Sequence, residues 1–168
     1  MVFLKNRYFL VFLIFILLLF DGQISFAINS FFSFRIALTS HLFLLGMLYL
    51  VHNKSNVFAI STSIFLGLIF DIYYLNIIGV VTIILPILVF FINKINKEFF
   101  LNIFQTLLIF IILIFLFDTL GYLISYFYGM TKMTLTYFIT YCLAPTFIFN
   151  ILMYLVFYRF LKKVYLDR

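Results

Sequence analysis

Charge is what this sequence lacks most: Asp, Glu, Lys and Arg make up 10% of its 168 residues, against about 25% in an ordinary soluble domain. A soluble fold of this length covers its core with polar side chains, and that coat is missing. The surface must itself be apolar, so the expected solvent is lipid. Cysteine is scarcer still. Cys142 stands alone, which excludes an intrachain disulfide and any thiolate metal site assembled from this chain. Polar linkers and low-complexity tails are missing too, so residues 1–168 read as a single polytopic membrane domain.

What the chain has instead is apolar side chains, 67% of the total, with 27 Phe and 12 Tyr. Measured against the roughly 17 to 25 residues a spanning helix needs, six runs stand out. They are Tyr8 to Ile28, Ile36 to Val51, Val57 to Tyr74, Ile77 to Ile92, Phe99 to Tyr126 and Leu135 to Phe160. The second and fourth are short and should draw in flanking residues. The expected fold is an all-α bundle of six transmembrane helices.

Eleven Lys and Arg against five acids give a net charge of +6, which in a soluble protein would suggest nucleic acid. Here the cations occupy short gaps between apolar runs, so no nucleic-acid partner is expected. Lys5, Arg7, Lys54, Lys94, Lys97, Arg159, Lys162, Lys163 and Arg168 fall on one side of a six-crossing topology, and only Arg35 and Lys132 on the other. The positive-inside rule then places both termini in the cytoplasm. Tyr73, Tyr74, Tyr122, Tyr126 and Tyr128 gather at the outer helix ends, and Tyr49, Tyr154 and Tyr158 at the inner ones, as an interfacial belt does. Lys5, Arg7, the apolar run from Tyr8 and Ser25-Phe26-Ala27 imitate a cleavable signal peptide. The run leads into a chain that keeps crossing the membrane, so it is expected to be retained.

A charge at the centre of a membrane helix costs about 2.5 to 3.5 kcal/mol, so ionisable residues at depth are functional candidates. Asp21, Asp71 and Asp118 all fall in the outward halves of their helices, where Arg35 and His41 also enter. They make one possible polar layer, with Arg35 as the counter-charge. The plainer reading puts Asp21 and His41 at the interface and gives Asp71 and Asp118 buried structural partners. Ser63, Gly67 and Asp71, spaced by four, form a small-residue stripe ending in a carboxylate. Thr136, Thr140 and Ala144 form a similar stripe, and Asp118, Gly121 and Ser125 share a face. Pro86 and Pro145 interrupt two helices, and each frees a carbonyl.

Complete catalytic sets are missing. Gly67-x-x-x-Asp71 and Asp21-Gly22 suggest the lipid-headgroup transferases, but position 75 is Leu and no Ala-Arg follows Gly22, so the carboxylate set for a metal is incomplete. His41 lacks the Gly-flanked Ser of an intramembrane protease, and no Walker or dinucleotide motif is found. No enzyme, metal or cofactor is expected.

Gly67-Leu68-Ile69-Phe70-Asp71, continuing to Gly79, resembles the signature of the rod shape-determining protein MreD family: a Gly, an Asp four residues on, and a second Gly about eight later. Length, Asp21 at the end of the first helix and a basic C-terminal end agree. The resemblance implies a non-enzymatic partner of the bitopic protein MreC in the cell-elongation complex. Through MreC it would connect the MreB filament system to the peptidoglycan synthases. The stripe and the motif together put the partner and helix-packing surface on Ser63, Gly67, Asp71 and Gly79, and the topology gives Asp118, Arg35 and Asp21 as buried polar residues. Fold-level resemblance also connects that family with the six-helix substrate-binding subunits of energy-coupling vitamin transporters, the alternative function. Those dock through small residues on the first helix, and Tyr8 to Phe20 contains no Gly, Ala or Ser.

Overall fold

Within lipid a backbone finds no water to bond, so it must satisfy its own amides and carbonyls. The computed structural model describes residues 7–53, 55–95 and 102–165, and among these every regular element is helical. Helix α1 is Arg7–Phe31, α2 is Leu42–Asn53, and α3 is Asn56–Phe70, extended by a π-helical turn, Asp71–Leu75. Helices α4 (Val81–Lys94) and α5 (Ile103–Phe127) follow. The last run is α6 (Leu135–Tyr137), a π-helical stretch (Phe138–Leu143) and α7 (Ala144–Tyr165).

Among the described residues four spans are long and apolar enough to cross a membrane: Tyr8–Phe31, Asn56–Leu75, Ile103–Phe127 and Leu135–Tyr158. Helices α2 and α4, with 12 and 14 residues, reach only about 18 and 21 Å at 1.5 Å per residue, short of a hydrocarbon layer of about 30 Å. The sequence pattern placed helix from Ile36, but α2 starts at Leu42, and residues 37–41 carry no regular structure. Likewise α4 starts at Val81 rather than Ile77. In both places the chain has another use for its polar groups, described below.

The described chain divides into two units. One holds the residues up to Leu45 and those from Lys132 onward, and the other holds Gly46–Thr131. In the first, α1 and α7 hold the non-helical segment 37–41 between them through hydrogen bonds. Pro145 is decisive there. It has no N–H to offer the Tyr141 carbonyl one turn earlier, and that carbonyl accepts the Ala37 amide at 2.9 Å. In the second unit α4 packs on α3 and on α5, and the rings of Phe70 and Phe117 meet edge to face at 6.1 Å. Asn102 caps α5 by accepting the Phe104 amide at 3.1 Å.

Every residue from Leu42 to Val51 is buried, which fits a helix apolar on all sides. The long helices instead leave Phe12, Ile112 and Leu152 exposed, at 57%, 56% and 58%. Against lipid such faces carry no penalty, so what joins helices here is close packing and hydrogen bonding rather than apolar burial.

Candidate functional site: carboxylates at the starts of two short helices

The stripe on α3 works at short range. Ser63 is fully buried and returns its hydroxyl to the Ile60 carbonyl at 2.7 Å. At Gly67 the backbone of α4 comes so close that an added Cβ would stand 2.7 Å from Thr82 Cα and 3.0 Å from both Thr82 N and Val81 O. These neighbours are backbone atoms with no rotamer to yield, so the absent side chain is what lets α3 and α4 touch.

One turn further on, Asp71 is 0% exposed. Its Oδ1 accepts the Val81 amide at 2.8 Å. Its Oδ2 accepts the Gly79 amide at 2.8 Å, the Thr82 amide at 3.0 Å and the Thr82 hydroxyl at 2.8 Å. The first amides of a helix have no partners within it and carry the positive end of its dipole. A carboxylate set among them is neutralised and also completes their bonding. The intervening turn needs two left-handed residues, Asn76 at φ 52° and Gly79 at φ 118°. Asn tolerates that conformation and Gly adopts it freely. The Gly–Asp–Gly spacing therefore encodes one helical hairpin: close approach, cap and turn.

Asp21 repeats the arrangement in the first unit. It is 4% exposed, its Oδ1 accepts the Ser40 hydroxyl and the Leu42 amide at 2.9 Å, and its Oδ2 accepts the Phe43 amide at 2.7 Å. These are the first amides of α2. The non-helical segment before them is matched group by group. Asn29 accepts the Leu38 amide and donates to the Leu38 carbonyl, both at 2.9 Å. Thr146 Oγ1 accepts from Thr39 N at 3.1 Å and Ser25 Oγ from Ser40 N at 2.8 Å. Asn150 accepts the His41 amide and donates to the Thr39 carbonyl, both at 2.8 Å. Irregular backbone at membrane depth survives only where protein satisfies it in this way.

Asp118 stands fifteen residues after the start of α5, as Asp71 does in α3, and Asp21 stands fourteen after the start of α1. It is half-buried. The helix that follows it is capped by its own Thr134, whose hydroxyl accepts the Tyr137 amide at 3.4 Å.

Several expectations change. Arg35 is exposed on the turn after α1 rather than buried, and the donors to Asp21 and Asp71 are amides and hydroxyls of their own units, so the expected arginine counter-charge is replaced by helix N-termini. Asp21 and His41, at 4% and 3% exposure, are buried rather than interfacial. Thr136, Thr140 and Ala144 are all exposed, so among the described residues this stripe is not covered. Thr82, Ser40, Thr146 and Asn150 were overlooked. For Asn150 a signal existed, since it is an amide in mid-run with Thr146 one turn before it. Among the described residues no group of three or more His, Cys, Asp or Glu could hold a metal.

Buried carboxylates bonded to helix-start amides, within apolar helices of spanning length, mark a helical membrane protein. The family profile of the rod shape-determining protein MreD matches residues 5–165. A curated relative, the cell shape-determining protein MreD of Streptococcus pneumoniae (strain ATCC BAA-255 / R6), is 34% identical over 148 residues, covering 88% of this chain and 90% of the relative. The chain belongs to the MreD family of bacterial cell shape-determining membrane proteins. No solved structure matches it.

Proposed function

We propose that this chain is a non-enzymatic scaffold of the cell-elongation complex, partnering an MreC-like bitopic protein and, through it, the MreB filament and the peptidoglycan synthases. The observation that carries this reading is the use of the buried acids. Asp21 and Asp71 spend their oxygens on helix amides and hydroxyls, which leaves them suited to holding shape rather than to moving protons or binding metal. In this reading Ser63, Gly67, Asp71 and Gly79 act on the partner indirectly, by fixing the α3–α4 hairpin that is presented to it.

The reading includes six crossings with both ends cytoplasmic. Geometry supports the second crossing despite its short helix. Segment 37–41 stands directly before α2, and Asp21 accepts the first amides of that helix, so in this reading the segment and α2 serve together as one crossing. The test is depletion of the protein with co-purification from a detergent extract. Loss of rod shape and recovery of a single-span partner are expected. A chain that instead retains a vitamin and an ATPase module overturns the scaffold.

A further inference from the structure

The turn after α1 holds a strained backbone around side chains that touch little else in the chain. Its backbone closes on itself: the Phe32 amide bonds the Ile28 carbonyl at 3.1 Å, Ser33 the Ser30 carbonyl at 3.0 Å, Phe34 the Asn29 carbonyl at 2.7 Å and Arg35 the Phe32 carbonyl at 3.1 Å. The middle two bonds are those of a Schellman cap, whose left-handed position is ordinarily glycine. Here Ser33 and Phe34 follow one another at φ 52° and 55°, a conformation uncommon for any other residue than glycine and an outlier for a bulky one. Strain of this kind points to a use beyond closing the turn.

Packing within the chain does not supply that use. Residues 31–35 are all exposed, with Phe31, Phe32 and Phe34 at 83%, 49% and 61%. Phe31 and Phe32 meet edge to face at 5.4 Å, and Phe34 tilts against Phe26, itself exposed, at 5.9 Å. Among the described residues the Arg35 guanidinium has no hydrogen bond and no ion pair. What surrounds the turn follows from the span it ends. Tyr8–Phe31 has 24 residues, about 36 Å of helix against a hydrocarbon layer of about 30 Å. The turn therefore lies in the headgroup layer, where phenylalanine rings bury at the acyl boundary and a cation meets lipid phosphate. A planar guanidinium offers paired donors that match a phosphate bidentately. A zwitterionic headgroup carries its own cation beside the phosphate, so a lone arginine complements an anionic one.

We infer that turn 31–35 is a binding site for an anionic phospholipid, with Arg35 on the headgroup phosphate and Phe31, Phe32 and Phe34 seated in the acyl boundary around it. The left-handed pair turns the chain back on α1 within two residues, which keeps Arg35, its amide bonded to Phe32, beside the rings rather than further out in water. The inference stands on the membrane span and is independent of the scaffold reading.

The test titrates the full chain in detergent micelles with phosphatidylglycerol or phosphatidylcholine and reads bound lipid by native mass spectrometry. Phosphatidylglycerol should be retained in preference, and Arg35→Gln should raise the concentration needed for half-occupancy about tenfold, as expected for losing hydrogen bonds to a charged group. The thermal midpoint should not move, since no described residue pairs with that side chain. Arg35→Lys keeps the charge without the bidentate fork and should raise the same concentration about threefold. Lys94→Gln removes an exposed cation that stands over the Phe90 ring at 5.2 Å, and it should leave the titration unchanged. Equal retention of phosphatidylcholine, undiminished binding by Arg35→Gln, or an equal loss from Lys94→Gln overturns the site, and none of these outcomes touches the scaffold reading.

Discussion

Asp71 Oδ2 accepts the Gly79 amide at 2.8 Å across eight residues of chain, and that bond makes the turn between α3 and α4 depend on a backbone conformation available to glycine. Gly79 sits at φ 118° with nothing within 4 Å of a built Cβ, so conformation alone constrains it. Gly79→Ala should therefore cost about 1 to 3 kcal/mol through backbone strain without any clash. Thermal unfolding in detergent measures this, and an unchanged midpoint would show that the turn relaxes freely.

Gly67 is the converse case, limited by space. Its Cβ position overlaps the α4 backbone, so even Gly67→Ala should force α3 and α4 apart, at about 1 to 3 kcal/mol, and Gly67→Leu should fail to accumulate. Gly121 on α5, with nothing within 4 Å, is the control. Gly121→Ala should be neutral or slightly stabilising, as expected for removing a helical glycine. Similar losses at both positions would mean that the α3–α4 contact is not what Gly67 serves.

Of the α3–α4 hairpin, the close approach at Gly67 was legible because Ser63, Gly67 and Asp71 lie at helical spacing, whereas the cap through Val81 and Thr82 was hidden in a run that reads as helix from Ile77. Segment 37–41 was not legible either. Its donors and acceptors on α7 lie 107 to 111 residues away, and hydropathy cannot distinguish an apolar stretch that is helical from one held extended by remote Asn and Thr side chains. The same blindness placed Asp21 at the interface: one carboxylate in a polar-looking helix end gives no sign that Leu42 and Phe43 will bring their amides to it. Arg35 is the counter-charge that charged side chains alone suggest, because such a tally omits the amides at helix starts.

Asn150 offers a direct test of that segment. Asn150→Leu preserves size but strands the His41 amide and the Thr39 carbonyl, both bonded to Asn150 in the native fold, at about 1 to 3 kcal/mol for each buried group left unmade. Thr140→Ala, on an exposed position whose hydroxyl bonds within its own helix, should change stability by less than about 0.5 kcal/mol. Hydrogen exchange at residues 37–43 should rise in the first variant alone. Uniform protection in both would remove the claim that α7 pins this segment.

Asp71→Asn separates architecture from contact. The variant keeps shape and loses charge, and one of its two terminal atoms becomes an NH2 facing amide or hydroxyl donors, since four donors now converge on the carboxylate. Hydrogen bonds to a charged group contribute about 1.5 to 3 kcal/mol each, so a loss of at least one is expected, read as lower abundance or lower thermal midpoint. Thr82→Val removes only the hydroxyl donor and should cost less. If the cap acts through the hairpin, partner recovery in both variants should fall only in proportion to the folded protein lost. An Asp71→Asn protein that is as abundant and heat-stable as the parent, yet loses its partner, would show instead that the carboxylate itself is the contact.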